Sequence, residues 1–311
     1  MDALSSTQLS QLSSANLGVM STTALQGLTT TQVSGLTSSQ LGSLSSTSVS
    51  SLTTTQVSNL TSSQLGALSA TALTGLTSTE VGGLSTTQLK GITATQVKGL
   101  TSDNVTGLTS TQVGALSTAQ LGALTNTNLA LLGTGQLAGL TTTQLGALAT
   151  SAFSALTSTQ VQSLTTTQLA GLTTTELKSL STADFSELTD TQVDSLTSTQ
   201  LAQLSSANLG VMSTTALQGL TTTQVAGLTS SQLGSLSSTS VSSLTTTQVS
   251  NLTSGQLSAL SSTALNGLTS TEVGSLSTSQ LAGLSATQLK GISSDNISGL
   301  TSTQVLSLIH I

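Results

Sequence analysis

Two apolar columns run the length of this chain with a period of eight residues. Leu stands at positions 4, 12, 28, 36 and every eighth residue to 308, replaced only by Met20, Ile92, Met212 and Ile292. Five residues after each comes a second apolar residue: Leu9, Leu17, Leu25, Val33, Leu41, Val49 and onward to Val305. That column holds only Leu, Val, Ile or Phe, the last at Phe153 and Phe185. Between the columns lie three small polar residues and, most often, Gln. Leu28-Thr29-Thr30-Thr31-Gln32-Val33-Ser34-Gly35 is one of the clearest copies.

Neither regular backbone accommodates this spacing in unbroken form. A continuous α-helix turns through about 80° net per octad at about 3.6 residues per turn, so its apolar stripe would wind around the axis. In a strand, spacings of five and three put successive apolar residues on opposite faces. A short helix that starts and stops within each octad fits every position. Thr29 and Gln32 have the spacing of a capping box, and Leu28 and Val33 that of the hydrophobic staple around it. Gly35, or the Ser or Ala that replaces it elsewhere, then occupies the helix C-terminus, where glycine is favoured.

Two buried side chains cannot offset the ordering of eight residues, so one octad is unstable alone. Stacked octads can share one core, as solenoid repeats do. The expected fold is therefore all-α: a solenoid of very short helices, about one turn each and one per octad, with both apolar columns inside. The alternative is a β-solenoid, since Thr and Val favour strands and short repeats are common there. Disorder is the third reading, opposed by apolar residues locked to one phase.

We read residues 1–306 as a single continuous octapeptide array. Within it residues 1–113 match 193–305, a duplication offset by 192 residues, or 24 octads. Asp2 recurs as Asp194, Glu80 as Glu272 and Lys98 as Lys290. Residues 307–311 abandon the pattern and resemble translated adapter sequence. With Met1 aligned to a core position, Val193, the chain reads as part of something longer, and no signal peptide begins it.

Composition narrows the function. Charged residues make up 5% of the chain, against roughly 25% in ordinary globular domains. Ten acids face four lysines (Lys90, Lys98, Lys178 and Lys290), and Arg, Trp and Tyr are absent. This leaves no basic or aromatic footprint for nucleic acid or anionic membrane, and no apolar run of the ~20 residues that a membrane helix needs. Lacking Cys, the chain has neither disulfides nor thiolate metal ligands.

Candidate chemistry is sparse. Ser and Thr are nucleophiles only beside a base, and the sole histidine, His310, lies in the divergent tail. Asp184, Glu187, Asp190 and Asp194 cluster with Glu176 one octad before them. Carboxylate oxygens suit calcium, but Glu176 and Asp184 also stand in the Gln position, where an acid favours a helix N-terminus. Asn59, Asn104, Asn251 and Asn296 begin Asn-x-Ser/Thr sequons of the kind that any Thr-rich repeat generates. No catalytic, cofactor-binding or metal-binding residue is expected, and no enzyme.

The run Leu28-Thr29-Thr30-Thr31-Gln32 resembles the LTxxQ motif of small periplasmic stress chaperones, over five residues. Over the whole chain, tandem units such as Leu28–Gly35 resemble repeat regions of very large secreted or surface proteins of bacteria, described as adhesin-like. That resemblance implies an extracellular or cell-surface structural spacer or stalk, with a glycan or cell-surface partner engaged through other domains. The alternative is a binding surface whose Thr and Ser rows dock glycans or ice.

Overall fold

The computed structural model describes residues 4–308; Met1, Asp2, His310 and the rest of the tail from 309 lie outside the described residues. Among the described residues there are 38 helices of four to seven residues, and no strand. The fold is an all-α solenoid, and the β-solenoid alternative is overturned.

One octad shows how the sequence builds its share. Thr29 is extended, with φ −70° and ψ 158°, and caps the helix Thr30–Ser34. The Gln32 N–H donates to Thr29 Oγ1 at 3.2 Å, and the Thr29 N–H donates to Gln32 Oε1 at 2.7 Å. This is the reciprocal box that the spacing predicts. Val33 N–H closes the turn on the Thr29 carbonyl at 2.9 Å, and Leu36 N–H returns to the Val33 carbonyl at 3.1 Å. The next extended residue, Thr37, then redirects the chain into the next helix.

Stacking follows a rule of three. Ser14–Gly18 packs on Ser38–Gly42, Thr54–Ser58 on Ser78–Gly83, and Ser206–Gly210 on Ser230–Gly234. Within each unit helices thus meet those three octads later, so 24 residues make one turn of the coil. The 192-residue offset between the copies is therefore eight turns, and each copied residue keeps its phase within its own coil. The chain divides into two compact units, residues 1–164 and 165–311, and the same rule operates inside each.

Both columns are buried. Leu28 is 4% exposed and Val33 0%, and Leu220 and Val225 match them in the second unit. On the last described coil, Ile297 and Val305 are instead 47% and 46% exposed. Burial of a column residue therefore comes from the adjacent turn as well as its own octad, which is why one octad cannot fold alone. Val19, Leu131 and Val211, each the eighth residue of its octad, are exposed for a different reason: they belong to neither column.

Glycine works differently from the capping expectation. Gly35 does stand at the C-cap, but at φ −83°, and no residue among those described has positive φ. At several of the other eighth-position glycines, among them Gly75, Gly91 and Gly107, turns of the coil touch. A Cβ on Gly107 would lie 2.4 Å from the Ser78 carbonyl oxygen and 2.7 Å from its Cα. The left-handed cap is replaced by close backbone contact between turns.

Candidate functional site

The most elaborate polar arrangement in the molecule is built on the fifth residue of the octad. Gln112 is 3% exposed. Its Oε1 accepts from the Thr109 N–H at 2.7 Å, completing the box of its own helix. Its Nε2 donates backward to the Val81 carbonyl at 2.8 Å and the Leu84 carbonyl at 2.7 Å, 31 and 28 residues earlier. Those oxygens sit at the end of the helix Ser78–Gly83, among the carbonyls that a helix C-terminus leaves without intrahelical partners. One side chain therefore caps the start of its own helix and the end of a helix in the turn below.

The bonding recurs turn after turn. Gln40 reaches the Leu9 and Leu12 carbonyls at 2.8 and 2.9 Å. Its copy Gln232 reaches those of Leu201 and Leu204 at 2.7 and 2.9 Å. Asn104, one methylene shorter, keeps both ends: Oδ1 accepts from the Thr101 N–H at 3.1 Å, and Nδ2 donates to the Leu76 carbonyl at 2.6 Å. The result is a ladder of buried amides linking successive turns within each unit. Each rung satisfies groups that would otherwise cost about 1–3 kcal/mol apiece if buried unpaired.

The sequence reading of Gln stopped at the capping box and missed this second bond. Two signals carry it. Glu serves a capping box as well as Gln and suits a helix N-terminus better, yet Gln predominates; the difference is the NH2 group. The exceptions are also spaced by the coil: between Ala24 and Glu176 they are Ala24, Ser48, Ala72, Glu80, Asn104, Asn128, Ala152 and Glu176, at intervals of 24 with one step of eight. The three-octad turn is written in the residues that are not Gln.

Where an acid replaces Gln, the donor is lost. Glu176, 2% exposed, accepts at Oε2 from the Thr173 N–H at 2.7 Å and from its hydroxyl at 2.8 Å, and its Oε1 is buried without a partner. Burial raises its pKa above the ordinary 4.5, and the Thr173 hydrogen bonds oppose the rise. A raised folded value means that the contribution to stability is full below the unfolded pKa near 4.5 and is lost as pH rises through the folded value. Glu176→Gln is expected to raise stability at pH 7 by about 1–3 kcal/mol and to make no difference at pH 3. Thermal melts of the two proteins across that range check it.

The acidic cluster does not converge. Asp184 Oδ2 accepts from the Ser181 hydroxyl at 2.6 Å, at the start of its own helix, and Glu187 is exposed. Asp190 Oδ1 accepts from the Ser213 hydroxyl at 2.5 Å. Asp194 has one buried oxygen without a partner, and its pKa is raised by burial and by the charge of Asp190. Among the described residues no three of His, Cys, Asp and Glu come together as a metal site.

The remaining candidates are placed by the octad. All four lysines are exposed in the last turn of their helices, where a cation suits the helix dipole. Asn59 and Asn251 are exposed, whereas Asn104 and Asn296 are buried at the Gln position, so the four sequons are not equivalent. Most cap hydroxyls are engaged within their own octad, while Thr31, Thr55 and Thr79, at the fourth position, are exposed. No helix is long and apolar enough to cross a membrane among the described residues.

These features define a class: a helical tandem-repeat solenoid held together by capping residues. The family model of the ALTTAQ repeat matches residues 129–166 and 201–238, so the chain is similar to that repeat over these two segments and carries a tandem-repeat region. No curated protein matches the chain.

Proposed function

We propose that this chain is a structural spacer in a larger bacterial extracellular or surface protein of adhesin-like type, its length set by its number of coil turns. The observation that carries the reading is the amide ladder. Each rung ties an octad to the turn beneath it, and the exposed fourth-position residues bring no chemistry to one place. A coil stitched at every turn resists separation of its turns, as a spacer must. The 192-residue duplication supports it further, because its offset is a whole number of 24-residue turns. The surface location rests on the resemblance of the repeat pattern to very large bacterial surface proteins. The chemistry done by the chain is none; its work is positional.

Removing residues 44–67, three octads and one turn, tests the spacer. Helix content per residue should be unchanged, and the dimension between spin labels on exposed Thr31 and Thr79, which flank the deletion within the first unit, should fall by about 8–10 Å, the spacing of packed helices. An unchanged dimension, or a collapse of helix content, would refute the proposal.

A further inference from the structure

Ala216 takes the place of Gln in its octad, and a cavity of about 90 Å³ opens beside it. Phe185, Leu188, Met212 and Ser213 line the cavity with Ala216. Phe185 and Leu188 lie 31 and 28 residues before Ala216, the spacings at which Gln232 finds the Leu201 and Leu204 carbonyls. Ser213 is the cap residue, whose counterpart N–H, on Thr229, donates to Gln232 Oε1 at 2.8 Å.

The octad keeps the rest of its cap. Ser213 Oγ accepts from the Ala216 N–H at 2.9 Å and donates to Asp190 Oδ1 at 2.5 Å. Among the described residues, nothing in the chain donates to the Leu188 carbonyl or accepts from the Ser213 N–H. The cavity is therefore bounded by the groups that an amide joins elsewhere in this protein, with the amide missing. Its volume holds several waters, each needing about 10–15 Å³ by this measure. Ser213 and Val211 are exposed, so the cavity is reached from solvent.

We propose that this cavity is a binding site for a primary carboxamide: the side chain of a Gln or Asn offered by a partner, or a small free amide. The NH2 group donates to the Leu188 carbonyl, and to Phe185 as a second acceptor. The amide oxygen accepts from the Ser213 N–H. Asp190, on the rim, adds an acceptor for the remaining N–H. Leu188, Val193 and Met212 supply the apolar wall against which the carbon end rests. Acetamide is the smallest probe, because it matches what Gln has beyond Ala.

The chain carries three methionines, and only Met212 lines the cavity; Met20 is its counterpart in the other copy. Protein labelled with 13C at the methionine methyls therefore reports the site with an internal control. Acetamide should shift the Met212 signal saturably and leave Met20 in place. Acetate, of the same shape but without N–H donors, should need at least tenfold higher concentration. Ala216→Gln should abolish the response by filling the site with the chain's own amide. An unmoved Met212 signal, an equal response to acetate, or a persistent response in Ala216→Gln overturns the proposal. So does tighter binding of methylguanidinium than of acetamide, which would make the cavity a cation site of the neighbouring acids. The comparison of acetamide with acetate uses the unaltered chain and stands even if the variant fails to fold.

Discussion

Leu140→Asp is expected to destroy the coil around it. Leu140 is 4% exposed in the first apolar column. Truncating a buried Leu costs about 2–5 kcal/mol before any charge is considered, and an unpaired buried carboxylate adds several more. The sum exceeds what neighbouring octads can absorb, so helical circular dichroism should fall and protease cleavage should appear near residue 140. Thr143→Asp, an exposed position in the same octad, should leave both unchanged. Equal tolerance of the two substitutions would mean that the columns are not the core.

A second large effect is expected at the contacts between turns. Gly107→Val puts a branched side chain where even a Cβ meets the Ser78 backbone at 2.4, 2.7 and 2.9 Å. Backbone cannot yield as a side-chain end can, so the turns must part, and the neighbouring rungs of the ladder lengthen with them. Overpacking of this kind costs about 3 kcal/mol or more. Gly83 provides the contrast, since a Cβ there meets nothing within 4 Å. With φ not positive at that position, Gly83→Ala should be neutral or stabilise by about 0.4–1 kcal/mol through the unfolded chain. Denaturant midpoints of the two variants separate contact between turns from ordinary helix capping.

What was legible in the sequence is what acts within one octad. Thr29 and Gln32 announce their box, Leu28 and Val33 their burial, and the failure of both regular backbones points to short helices that stack. The interactions that set the coil span 28 to 31 residues, and no local rule reaches that far. Gln112 therefore reads as half of what it is, and the small residue at Gly107 is explained by capping when contact between turns is its reason. The spacing of Ala24, Ser48 and Ala72 encodes the turn, but only once an amide is known to be missing there. The acidic residues were legible as helix-start residues at Asp184 and Glu176. The cavity beside Ala216 was not, because it arises from a side chain that the sequence lacks.

The three-octad turn itself can be measured directly in a chain free of cysteine. Spin-label pairs on exposed sites Thr55 and Ser63, Thr55 and Thr71, and Thr55 and Thr79 span one, two and three octads. Dipolar broadening should be strongest for Thr55 and Thr79, the pair farthest apart in sequence, because their helices pack on one another. Broadening that weakens steadily from the first pair to the third would show a chain that never returns upon itself.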